Sequence, residues 1–316
     1  MKNEKCCNIK TSIGGQALIE GVMMRGPKKT AMAVRNPEGE IVLEQWENGD
    51  KKKSKFFKLP IIRGLFNFIT SMKFGYKCLM RSAEIAGLEE EPKEGEDKKG
   101  KGFLTNFVMI AAAVLGVVLA LVLFIALPSF IYSGICMISK NDIFHEANRY
   151  LKSATEGVLK VVILVAYMAL VSLMKDIRRT FMYHGAEHKT IFCYESGAEL
   201  TVENVKKQNR FHPRCGTSFL ILMVLVSILI GFFIPTLIPT WLRVCIKLLL
   251  FPLTMGIGYE LIKFAGKHEN IITKIISAPG VWLQHLTVFE PDEQMIECAI
   301  AAMKEVIPED GSDKIQ

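Results

Sequence analysis

His184, Glu187 and His188 stand together in one polar run, Tyr183-His184-Gly185-Ala186-Glu187-His188-Lys189, which is followed by Cys193 and then by His212-Pro213-Arg214-Cys215. Half of the chain's six histidines fall in this stretch. Imidazole, carboxylate and thiolate are the groups that bind transition metals and carry protons. The run fits the pattern H-x-x-E-H. On a helix, residues three and four apart share a face, so His184 and His188 would point the same way with Glu187 beside them. Two imidazoles at that spacing make a bidentate metal site, and the glutamate is a further ligand or a base toward bound water. Inverzincin metalloproteases share the spacing. Their third ligand is a distant glutamate on a different, soluble fold, so their activity does not transfer. A tetrahedral set of His184, His188, His212 and Cys215 suits zinc. If Cys215 or Glu187 stays free, a position opens for water, which separates a catalytic site from a structural one. The competing reading has these histidines bonding phosphates or backbone near lipid headgroups, with Arg178, Arg179, Lys189 and Arg214 as ordinary surface charges.

These residues must be positioned by a membrane protein. Half of the 316 residues are hydrophobic and the mean hydropathy is +0.26, too apolar for an ordinary soluble chain of this size. Four segments approach the roughly 20 apolar residues that a bilayer crossing needs. They are 103–138, kinked or ended by Pro128; 157–174; 218–237, closed by Pro235 and Pro239; and 242–264. The stretch 175–214 carries Lys175, Arg178, Arg179, Lys189, Lys206, Lys207, Arg210 and Arg214. The N-terminal region is also basic, while the connections at 140–152 and 235–241 are more balanced or nearly uncharged. By the positive-inside rule, both termini and the His-rich stretch face the cytoplasm. Residues 1–11 are polar and lysine-rich with no apolar core behind them, so no secretory signal is expected. Eight cysteines without a regular framework imply a reducing compartment and no disulfides. The net charge of +7 suits an anionic leaflet.

The expected fold class is mainly α: a polytopic membrane protein with about four transmembrane helices and a small cytoplasmic α+β cap built from two β-hairpin segments. The first hairpin lies in a β-rich segment, 1–58, at 31–44, and turns at Asn36-Pro37-Glu38-Gly39. The second, 190–203, turns at Ser196-Gly197 and holds Cys193 as a buried thiol. Lys29-Thr30 and Lys189-Thr190 open the two, a hint of internal duplication. Between 59 and 87, Ile62, Leu65, Phe66, Ile69, Met72 and Phe74 alternate with Arg63, Lys73, Lys77 and Arg81, as in a helix lying in the membrane surface. The basic run 51–58 beside it is read as facing lipid headgroups rather than nucleic acid. Residues 88–102 form a charged linker, 103–175 the first two spans, 176–216 the His/Cys loop, 217–264 the last two spans and 265–316 an amphipathic C-terminal region. The second span continues as a helix past Lys175. At the far end, Met295, Ile296, Ala299, Ile300, Met303 and Val306 recur at helical spacing behind Glu290-Pro291-Asp292. Glu260, near the cytoplasmic end of the last span, either carries function or simply reaches water. Cys136 and Cys245 read as small apolar residues, and Gly256 and Gly258 as helix packing.

The run Ile13-Gly14-Gly15-Gln16-Ala17-Leu18-Ile19-Glu20-Gly21-Val22-Met23-Met24-Arg25-Gly26-Pro27 resembles the N-terminal signature of the YqhQ-like family of bacterial membrane proteins. The run 183–189, residues 212–217, Pro279-Gly280-Val281-Trp282-Leu283-Gln284 and Glu290-Pro291-Asp292 are similar to its other motifs. The resemblance covers nearly the whole chain. It implies a domain of unknown function, sometimes described as a predicted metal-dependent enzyme. It also singles out Glu20 and Arg25: Glu20 as a further ligand or general base, or the two as an ion pair. Two functions remain open. One is a zinc-dependent hydrolase acting on a membrane-associated substrate, with Glu187 as acid/base and the bilayer as its environment. The other is a non-enzymatic scaffold or biogenesis partner of a membrane-protein complex, its metal structural. A transporter fits less well, since few charges are apparent inside the spans. Nucleic acid is not an expected partner, and the oligomeric state is left open.

Overall fold

The computed structural model describes residues 9–49, 59–88, 98–138, 149–235, 238–268 and 270–315. The chain divides into two units, one formed by Met1–Glu89, Met168–Leu222 and Tyr259–Gln316, the other by Glu90–Tyr167 and Met223–Gly258.

The first unit is built on a four-stranded antiparallel sheet in the order β1-β2-β3-β4, from β1 (Gly14–Leu18), β2 (Gly21–Arg25), β3 (Lys29–Arg35) and β4 (Ile41–Glu47). Glu20 makes the tight β1–β2 turn at φ 51°. The 31–44 hairpin forms as its turn residues dictate. Asn36 accepts from Gly39 and, through its side chain, from Glu40, and Gly39 takes φ 90°, the conformation glycine adopts without a steric penalty.

Strand periodicity gives the sheet two apolar faces. Val22, Met24, Ala31 and Ala33 pack with α5 (Lys175–Glu195) and α10 (Glu293–Val306). Leu18, Met23, Met32 and Val34 face Cys78 and Phe74 of α1 (Ile62–Ile85). Trp46 meets Phe74 edge-on at 5.7 Å. The six apolar positions of the C-terminal repeat are all buried in α10, which Asp292 caps by accepting from the Met295 N–H. Helix α1 leaves Ile69, Met72 and Tyr76 exposed, an apolar face suited to lipid.

The sequence misjudged three features here. The second hairpin does not exist. Residues 190–195 continue α5, with Thr190 and Cys193 on its buried face. Ser196-Gly197 ends that helix in a Schellman turn, Ala198 N–H donating to Cys193 O and Gly197 N–H to Tyr194 O, with Gly197 at φ 73°. The hint of duplication falls with it, and the short α6 (Val202–Lys206) follows. The second span does not run on past Lys175: α4 (Arg149–Ser172) stops and α5 restarts after an extended Met174. A helix not foreseen, α9 (Ile271–Thr287), runs through Pro279. Of the charged linker, residues 89–97 lie outside the described residues and 98–102 belong to α2 (Lys98–Leu121); the basic run 51–58 also lies outside them.

Among the described residues, three helices are long and apolar enough to cross a membrane, Ala111–Ile138, Tyr150–Ser172 and Thr240–Ala265. The first joins α2 (Lys98–Leu121) to α3 (Leu127–Ile138) through a π turn at Val122–Ala126. Pro128 removes one N–H and crowds the carbonyl four residues earlier, so the wider turn absorbs it and the helix continues. The segment expected as the third of four spans is helical as α7 over Gly216–Gly231, only 16 residues, or roughly 24 Å at 1.5 Å per residue. The last, α8 (Thr240–Lys267), contains Pro252. Val114, Val117, Leu119, Leu170 and Leu249 lie bare on these helices, which suits a hydrocarbon solvent.

Candidate functional site

Helix α5 carries the H-x-x-E-H run on one turn. Gly185 is there because the chain after α9 crosses this turn closely. A Cβ on it would sit 2.0 Å from Phe289 O, and Phe289 N–H donates to Phe181 O at 3.1 Å. That crossing also fixes His184. Its Nδ1 lies 3.1 Å from Thr287 O. His188 Nδ1 lies 2.5 Å from Arg210 O. A carbonyl can only accept, so both Nδ1 atoms carry the proton and both Nε2 atoms present lone pairs. Metal-ligating histidines are held in this way.

Both rings stand beside Cys215. His184 Nε2 is 3.1 Å from Cys215 Sγ, and the ligand atoms of His184, His188 and Cys215 all lie within 4.8 Å of one another. His188 Nε2 is buried without a hydrogen-bond partner. Cys215 immediately precedes α7, where the Thr217 N–H donates to Sγ at 3.4 Å and the Thr217 hydroxyl lies 3.2 Å away. Gln284 of α9 pins the preceding segment. Its side-chain amide accepts from His212 N–H at 2.8 Å and donates to His212 O at 2.7 Å. Gly280 lets Ser218 approach to where a Cβ would be 2.5 Å from its side chain.

Glu187 is buried, and its Oε2 is 3.9 Å from His184 Nε2 and has no hydrogen-bond partner. Burial pushes its carboxyl above the usual range; His184 and a hydrogen bond with the Gly15 backbone pull the other way and lose. Strand β1 closes directly over this carboxylate. A Cβ on Gly15 would fall 2.8 Å from Glu187 Cγ. The signature glycine thus serves close approach, and Gly15 is a site residue that sequence reasoning passed over.

His212 has a different neighbourhood. Its Nδ1 accepts from the Arg214 N–H at 3.2 Å, so Nε2 carries the proton and faces Glu195 Oε2 at 3.7 Å. Burial lowers its pKa despite that carboxylate. Glu195 also binds the Arg214 guanidinium and, at 2.9 Å, Thr11 N–H. His212 therefore braces the site from behind, its ring centroid 5.6 Å from that of His188. Gly15, His184, Glu187, His188, His212 and Cys215 line a cavity of about 610 Å³ that also reaches Tyr259 and Lys263.

The remaining candidates lie elsewhere. Glu20 pairs with the Arg179 guanidinium and accepts from Tyr183 Oη at 3.1 Å; it does not pair with Arg25, which is exposed at the end of β2 beside a separate groove. Glu260 forms a two-point ion pair with Arg63, one arm at 2.6 Å. Cys193 is buried in α5, its thiol 3.5 Å from Glu199 O.

No solved structure matches this chain. A curated relative, "Uncharacterized protein YqhQ" of Bacillus subtilis (strain 168), is 34% identical over 304 residues, covering 95% of this chain and 93% of the relative. Residues 59–309 match the model of a family described as "Protein of unknown function (DUF1385)". The matched span carries the H-x-x-E-H helix, Cys215 and the Gln284 brace, and by that match and the near full-length relative the chain belongs to the YqhQ-like DUF1385 family.

Proposed function

We propose that His184, His188 and Cys215 hold a zinc-like ion, and that the protein is a metal-dependent hydrolase acting at the cytoplasmic face of the bacterial inner membrane. One observation carries the metal reading: two imidazoles whose Nδ1 atoms face carbonyls stand with one thiol so that a potential ligand atom from each lies within 4.8 Å of the others, and His188 Nε2 is left buried without a partner. Three ligands of this kind suit zinc and leave a fourth position open. When bound, the ion would supply Lewis acidity toward a carbonyl or phosphoryl oxygen. Glu187, buried and without a hydrogen bond at Oε2, is placed to take a proton from an attacking water. Lys263 and Arg214, which line the same cavity, would orient an anionic group of the substrate. The distribution of lysine and arginine supports the cytoplasmic placement of the site and of both termini.

A second reading has its own support. Strand β1 presses Gly15 against Glu187, so the carboxylate can equally serve as a fourth ligand in a closed, structural site. The protein would then act as a scaffold for a membrane-protein complex. Elemental analysis of detergent-purified protein, with His188→Ala beside the wild type, tests the site: about one equivalent of metal in the wild type and little in the variant is expected. Glu187→Gln separates the two readings. Metal retained with cellular function lost supports hydrolysis, and full function would overturn it.

A further inference from the structure

The transmembrane unit holds more charge than the hydropathy pattern suggests. Lys160 lies ten residues into the span Tyr150–Ser172, or roughly 15 Å from its end at 1.5 Å per residue, near the middle of a bilayer core about 30 Å thick. It is buried, and its ammonium donates to Ser227 Oγ at 3.1 Å. Four residues earlier, Glu156 accepts from Lys247 at 2.6 Å, and Lys247 also reaches Ser129 Oγ at 2.6 Å. Arg243 is wholly buried. It donates to Ile234 O at 3.0 Å and Pro235 O at 2.8 Å, and its Nε is 3.5 Å from Glu156.

In this cluster one carboxylate, Glu156, faces Lys160, Lys247 and Arg243, and buried Lys152 acts on Lys247 as well. Arg243 is largely satisfied by the carbonyls beyond the end of α7, and Glu156 with Lys247 forms a close pair. Among the described residues, Lys160 hydrogen-bonds a neutral hydroxyl and meets Glu156 only through space. A buried ammonium without a direct carboxylate partner is costly, and ionisable groups at membrane depth are retained for function. Lys160 and Lys247 both open onto a cavity of about 100 Å³ whose other walls include Phe124, Met223, Ile230 and Leu250. Its polar lining is confined to these two lysines, Ser227 and Thr254. Two ammoniums at one place in an apolar slot match an oxyanion carried on a hydrocarbon chain.

We propose that this cavity binds the acidic head of an anionic amphiphile, a carboxylate or phosphate paired with Lys160 and Lys247, its chain lying along Phe124 and Leu250. The site is separate from the His/Cys cluster and does not depend on the metal reading. The test uses full-length protein in neutral detergent, with dodecyl phosphate, dodecanol and inorganic phosphate as probes and native mass spectrometry as readout. Dodecyl phosphate should bind saturably, at least tenfold tighter than dodecanol, and Lys160→Met should lose at least tenfold while Lys160→Arg retains binding. Equal binding of dodecanol, or an unaffected Lys160→Met, would overturn the proposal. Inorganic phosphate binding as tightly as dodecyl phosphate would assign the site to a free anion and overturn the amphiphile. Should Lys160→Met not fold, the wild type decides alone. A photoreactive dodecyl phosphate must mark the segments holding Phe124, Met223 or Leu250, and labelling confined to other segments refutes the assignment.

Discussion

Replacing Gly185 with alanine sets two effects of opposite sign against each other. In an exposed helix the change would stabilise by about 0.8–1.0 kcal/mol, the difference in helix propensity. Here the new methyl would sit 2.0 Å from Phe289 O and 3.3 Å from Pro291 Cδ, where ordinary contact begins near 3.4 Å. The obstacle is backbone, which cannot rotate away as a side chain tip can, so the crossing segment must retreat by more than an ångström. Overpacking typically costs about 1–3 kcal/mol, and a clash with backbone belongs at the upper end. Clash therefore outweighs propensity, and Gly185→Ala should destabilise by about 2 kcal/mol. The retreat also draws Thr287 O away from His184 Nδ1, and loss of such an outer hydrogen bond typically lowers metal affinity by about 10–100-fold. Thermal unfolding in detergent and competition with a chromogenic zinc chelator read the two effects separately. A variant as stable as the wild type, or more so, would show that residues 287–291 do not cross α5 as described. A destabilised variant with unchanged zinc affinity would refute the coupling through His184.

Chelation should act through the same residues. A ligand bound only by the folded state stabilises by about 2.7 kcal/mol at a free concentration one hundred times its Kd. EDTA should therefore lower the unfolding temperature of the wild type and leave His188→Ala where it is; equal shifts in both would sink the metal reading. The Glu20–Arg179 pair predicts an acid limb. Burial pushes the Glu20 carboxyl up, but the Arg179 hydrogen bonds and charge outweigh it and hold the folded pKa below 4.5. The unfolded chain then binds the proton more readily, so this contribution is complete above about pH 4.5 and is lost as pH falls through the lowered value. Arg179 is half exposed, so the contribution is at most about 1 kcal/mol. Glu20→Gln should be slightly less stable than the wild type at pH 7, with the gap closing toward pH 3. Parallel pH profiles would contradict it.

Much of the architecture was written in local pattern. Asn36-Pro37-Glu38-Gly39 could only turn, which marked the β3–β4 hairpin, whereas β1 and β2 were legible only as part of a β-rich segment. The spacing of Met295, Ile296, Ala299 and Met303 required a helix with a buried face. Long apolar runs marked the spans, although α7 proved shorter than composition implied. The error at 190–203 has a definite cause. A residue at positive φ serves both a hairpin turn and a helix C-cap, so Gly197 was compatible with either. Tertiary burial of Thr190 and Cys193 against the sheet and α10 chose the helix.

The amino-acid order alone determined that two imidazoles and a carboxylate share one helical turn, because 3.6 residues per turn leaves no alternative once a helix forms. Which other groups join them was decided only in three dimensions. Carbonyls from 287 and 210, far along the chain, set the tautomers of His184 and His188. The brace from Gln284 delivered Cys215 to the imidazoles, while the Arg214 N–H and Glu195 turned His212 aside. Hydrogen bonds between segments distant in sequence have no local signature, so which side chains meet at the cluster is a property of the fold.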